Sequence, residues 1–123
     1  MDVACPGSGS SLITVKLRHI GGAIKRAPAG AGALGRIDGR FLVFVAGIVM
    51  TPEAGKAVAE AAARVNTAVS AWGSGRSFSN FADVPTDPET MFDPEAYRRL
   101  REIRARVDPD GLLLANHPIA GGG

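Results

Sequence analysis

Apolar and polar residues alternate from Leu12 to Ile20: Ile13, Val15 and Leu17 fall on one side, Thr14, Lys16 and Arg18 on the other. A period of two predicts a half-buried strand, and Gly21-Gly22 breaks it. Phe41 to Met50 (FLVFVAGIVM) is continuously apolar and predicts a second strand, with Gly47 as a bulge or a point of close approach. The two strands are expected to be neighbours in one antiparallel sheet. Residues 23–37, with Pro28 and several glycines, read as a long connection between them. From Thr51 the period changes. Ala54, Ala57, Val58, Ala61, Ala62, Val65, Ala68, Val69 and Trp72 line one face of a helix. Thr51 is its cap, Pro52 its first residue, and Glu53 suits the positive end of the dipole. Glu60 and Arg64 are spaced to pair on the outer face, and Gly73 ends the helix.

Arg76 to Phe81 (RSFSNF) reads as a short extended segment, and Val84 to Met91 as a proline-punctuated loop. Asp93-Pro94 then caps and opens a last helix, whose apolar stripe is Tyr97, Leu100, Ile103 and Val107. Asp108-Pro109 ends it, because a residue before proline is pushed out of the α region. A tight Asp-Pro-Asp-Gly turn, a short apolar run and an Asn-His-Pro-Ile tail follow, while residues 1–11 read as a Gly/Ser-rich loop. The expected fold is α+β: antiparallel strands packed with helices, then a C-terminal helix and an extended tail.

Composition narrows the function. With 123 residues, 46% of them hydrophobic, the chain is one globular domain at most. A net charge of +2 from 14 cations and 12 anions is no nucleic-acid footprint. Arg98, Arg99, Arg101, Arg104 and Arg106 are interrupted by Glu102 and preceded by Glu95, and read as a solvated helix face. Cys5 is the single cysteine, so neither an intramolecular disulfide nor a cysteine metal site is expected. His19 and His117 are the only histidines and have no supporting cluster, which leaves no metal site; nor is there nucleophile-elbow spacing. The longest apolar run is about half of the roughly 18 residues that a membrane helix needs. The N-terminus lacks the basic and apolar regions of a secretory signal. A cytoplasmic protein with no membrane contact is expected. Gly30 to Gly35 spells G-x-G-x-x-G, but a connection precedes it, a strand follows it, and no suitable acid lies beyond; it reads as a flexible connection.

Three stretches resemble a known family. Tyr97-Arg98-Arg99-Leu100, Asp108 to Leu113 (DPDGLL) and Asn116 to Ile119 (NHPI) are similar to the C-terminal signature of berberine-bridge-enzyme-like, FAD-linked oxidoreductases of the vanillyl-alcohol-oxidase type. Ser77 to Phe81 resembles that family's Tyr-x-Asn-aromatic segment, with Phe78 where the family favours tyrosine. Leu17 to Ala23 (LRHIGGA), with its lead-in Pro6 to Ser10, resembles a strand of bacterial members. These matches run in family order from about residue 6 to residue 119. The resemblance implies that 6–75 is the end of a substrate domain, a β-β-α region, and that 76–119 is the return segment toward an FAD domain. It implies flavin contacts from Phe78, Asn80, Asn116 and His117, and substrate-pocket positions at Arg18 and His19. It supplies no catalytic base. The family's FAD-binding domain finds no counterpart in these residues. The chain is therefore expected to be the C-terminal part of an FAD-dependent oxidoreductase, inactive without a separate FAD-domain chain. The alternative is a non-catalytic α+β interaction module, or a remnant, descended from such an enzyme. So short a chain is expected to leave apolar faces open, which favours a complementing chain or a homo-oligomer; a small-molecule substrate enters only once the enzyme is complete.

Overall fold

A computed structural model describes residues 3–5 and 7–121; Pro6, part of the family-like lead-in, lies outside them. The fold is α+β, with two strands and two α-helices among the described residues. It divides into two compact units: one takes the chain up to Gly21 and Asp38–Ser74, the other Gly22–Ile37 and the chain from Gly75 onward.

In the first unit, β1 (Leu12–His19) and β2 (Phe41–Gly47) pair antiparallel, from Leu12 opposite Gly47 to His19 opposite Phe41. The register shifts between Leu12 and Thr14, so Ile13 is an extra, bulged residue. Val15, Leu17 and His19 thus share a face with Val45, Val43 and Phe41. His19 and Phe41 meet edge to face at 5.4 Å. Helix α1 (Pro52–Val69) starts as its sequence dictates: Thr51 is extended and accepts a hydrogen bond from the Ala54 amide at 3.2 Å, and Pro52 follows. Its inward residues are Ala61 and Val65, both buried.

Several expectations change here. The first strand is only partly covered, with Ile13 65% and Leu17 53% exposed, because α1 spans too little of the sheet to shield the whole apolar face. The apolar run after Gly47 leaves the sheet, and Ile48, Val49 and Met50 face solvent. Ala68 and Trp72 are exposed; α1 gives way at Ser70–Trp72 to a 3₁₀ turn, which takes Trp72 off the helical period. Gly73 ends that turn in an extended conformation. Glu60 and Arg64 form no ion pair; the i, i+4 pairs that close are Arg98 with Glu102 and Arg104 with Asp108.

In the second unit, helix α2 (Pro94–Val107) is capped by Asp93, whose carboxylate accepts from the Ala96 amide at 2.8 Å. Arg76 lies 3.8 Å from the same side chain. Ala96 is buried and Leu100 and Ile103 half-buried, whereas Val107 is exposed, one turn past the packed stretch. Asp93→Ala is expected to cost about 1 kcal/mol, the usual worth of an N-cap, seen as a lower melting temperature. The 76–81 segment is not extended throughout: Ser79–Phe81 forms a single 3₁₀ turn, with the Phe81 amide bonded to the Phe78 carbonyl. A second such turn, Pro88–Thr90, is capped by Asp87. Arg99 donates to the Gly32 carbonyl at 3.3 Å, so the glycine-rich connection is tied to α2.

Asp108 fixes the chain beyond α2. It is 7% exposed, and its two oxygens accept from the Leu112 and Leu113 amides at 2.8 and 3.1 Å. Arg104, one turn back, sits 3.0 Å away. Gly111 has a φ of 67°, the left-handed value that lets the Asp-Pro-Asp-Gly turn close without a Cβ penalty. Sequence alone showed Asp108 as a helix terminator; the structure makes it the anchor of the tail.

Candidate functional site

The second unit contains an open cleft of about 470 Å³, within the ordinary range for ligand sites. The turn at 79–82 supplies Ser79, Asn80 and Ala82; the residues before α2 supply Met91 and Phe92, and the middle of α2 Leu100; the tail supplies Asn116, His117 and Ile119. Local structure places each group. The 3₁₀ turn turns Asn80 outward beside Ser79, whose hydroxyl donates to the Asn80 side-chain Oδ1 at 3.4 Å. The Asp108 anchor reverses the chain after α2, and the tail then runs back to the turn.

His117 closes that return. Its Nε2 lies 3.0 Å from the Ala82 carbonyl oxygen, 35 residues away in sequence. A carbonyl can only accept, so Nε2 carries the proton and, in the neutral ring, Nδ1 is a bare acceptor. That Nδ1 is shut off from solvent and has no hydrogen-bond partner. No acidic or basic side chain lines the cleft apart from this imidazole; its polar groups are carboxamides and a hydroxyl, and its remaining walls are apolar. Such a lining suits a flat, uncharged heterocycle whose edge alternates donors and acceptors. It does not suit a pyrophosphate, which calls for cations or a glycine-rich helix start.

Of the residues expected at a flavin, Asn80, Asn116 and His117 line this one cleft. Phe78 does not; it is half-buried and packs its ring against Phe81 at 5.4 Å, supporting the turn from behind. Arg18 and His19 belong to the first unit, both exposed near the end of β1. Ser79, Met91, Phe92 and the Ala82 carbonyl were not singled out by sequence reasoning. The signal for Phe92 was available, since it stands just before the Asp93 cap, where an apolar residue packs onto the helix start. Among the described residues no group of three or more His, Cys, Asp or Glu could hold a metal ion, and no helix is long and apolar enough to cross a membrane.

Residues 77–120 match the family described as berberine and berberine like. The C-terminal segment is thus similar to the berberine-bridge-enzyme-like family of flavin-linked oxidoreductases. No curated protein and no solved structure matches the chain.

Proposed function

We propose that this chain serves as the C-terminal part of an FAD-dependent oxidoreductase, with the 79–119 cleft closing against the flavin ring. The observation that carries the reading is a coincidence of two independent facts: every residue lining the cleft falls inside the matched segment 77–120. The chemistry agrees. Asn80 and Asn116 each offer a donor and an acceptor for a ring edge. The flavin supplies the redox step, accepting a hydride from a substrate C–H bond; the protein binds and orients. The pyrophosphate of FAD is held elsewhere, by an FAD-binding domain outside these residues, because nothing in the cleft could neutralise it.

Mixing the chain with an FAD-binding domain supplied in trans is expected to quench flavin fluorescence and sharpen the visible absorbance bands. Asn80→Ala is expected to weaken binding by roughly tenfold, the worth of one or two lost ring-edge hydrogen bonds. An unchanged flavin signal in the mixture would leave an interaction module and withdraw the enzymatic reading.

A further inference from the structure

We propose that the outer edge of β2 is a self-association surface, on which a second copy of this chain adds its own β2 antiparallel across a two-fold axis. The alternation of the ladder identifies the edge groups. The Ile20 amide donates to the Arg40 carbonyl at 2.8 Å, so 20 and 40 form a hydrogen-bonded pair. Counting back along the register, 18 with 42 and 16 with 44 are bonded pairs, while 19 with 41, 17 with 43 and 15 with 45 are not. The N–H and C=O groups of Phe41, Val43 and Val45 therefore point away from β1. Among the described residues they have no strand to meet, because the sheet has only two strands.

Both edges of such a sheet are open, and a two-stranded sheet is marginal without a third strand. Charge decides between them. Strand β1 carries Lys16 and Arg18 and the Ile13 bulge, the devices that blunt an edge, and pairing β1 with itself would set like charges near each other. Strand β2 (FLVFVAG) has no charge, no proline and no bulge. Its own sequence is the matching partner: an antiparallel copy sets Val43 and Val45 among valines and Phe41, the kind of cross-strand pairs that favour a sheet. A two-fold arrangement uses the β2 edge of each copy once and leaves the blunted β1 edges outside, so the product is a dimer with a four-stranded sheet.

Val43→Pro tests this without touching the intrachain ladder, since the amide it removes is an outward one. Leu17→Pro, equally outward but on β1, is the control. Sedimentation equilibrium over a concentration series is expected to show dimers for the native chain and for Leu17→Pro, and monomers for Val43→Pro. Circular dichroism melts of the two variants check that both remain folded; if either unfolds, Val43→Lys and Leu17→Lys replace them. A native chain that stays monomeric throughout the series would overturn the proposal, as would a dimer that survives a folded Val43 variant or is lost equally in the folded β1 control.

Discussion

Gly47→Ala is expected to destabilise the first unit by about 1–3 kcal/mol, the usual cost of overpacking a close contact. A Cβ at position 47 would stand 2.5 and 2.7 Å from the two γ-carbons of Val58 and 3.1 Å from the Ser11 carbonyl oxygen. The valine cannot simply turn aside, because a β-branched residue in a helix has one strongly preferred rotamer. The Ser11 oxygen is backbone and yields less still. Removing a glycine also stiffens the unfolded chain, which stabilises by ~0.4–1 kcal/mol, but two contacts well inside van der Waals range outweigh that gain. The melting temperature should fall by roughly 4–8 °C for each kcal/mol lost. Val58→Ala clears the space, so the double variant should lose less than the two single losses added. Strict additivity in that thermal-melt cycle would mean that the helix does not approach the strand at this point. The close approach explains why glycine stands at the end of an otherwise bulky apolar strand: it makes room for contact with α1.

Asp108→Asn is expected to release the tail from α2. In the native chain burial pushes the carboxyl pKa up, but the Leu113 and Leu112 amides and the Arg104 guanidinium together outweigh it and hold the group below its ordinary value of 3.8. A folded-state value below the unfolded one means that the ionised group contributes stability fully above pH 3.8, and that this contribution is lost as pH falls through the folded value. The native chain and Asp108→Asn should therefore differ in melting temperature by a constant amount from neutral pH down to about pH 5, and converge in stronger acid. Hydrogen exchange gives a second readout. The Leu112 and Leu113 amides should be protected in the native chain and exchange near open-chain rates in the variant. Because the same anchor aims Asn116 and His117 at the 79–82 turn, the variant should also bind flavin less well. A gap that widens below pH 3.8 would contradict the assigned role.

Much of the fold was legible because it is written locally. Thr51-Pro52 and Asp93-Pro94 mark both helix starts, and caps act over three residues. The alternation of β1 and the apolar run of β2 gave the hairpin partners. What escaped was coverage. Periodicity shows which side chains share a face but not whether anything lies over it, so Leu17, Trp72 and Val107 were expected to be sheltered and are not. The cleft was legible only as family-like motifs. Its closure depends on a contact between His117 and Ala82, and no local pattern reports a bond between a tail imidazole and a turn carbonyl so far apart in sequence. Asp108 escaped for a related reason: its partners lie four and five residues ahead, across a turn whose closure depends on Gly111.

The central claim is that the cleft of the second unit meets a flavin ring, and side-chain amide resonances report on it directly. In nitrogen–proton correlation spectra of the labelled chain with an FAD-binding domain, flavin should move the Asn80 and Asn116 carboxamides and the His117 ring nitrogens. The strand residues Arg18 and His19 should move less. A titration in which those three residues stay fixed, while the spectrum elsewhere responds to flavin, would contradict the account.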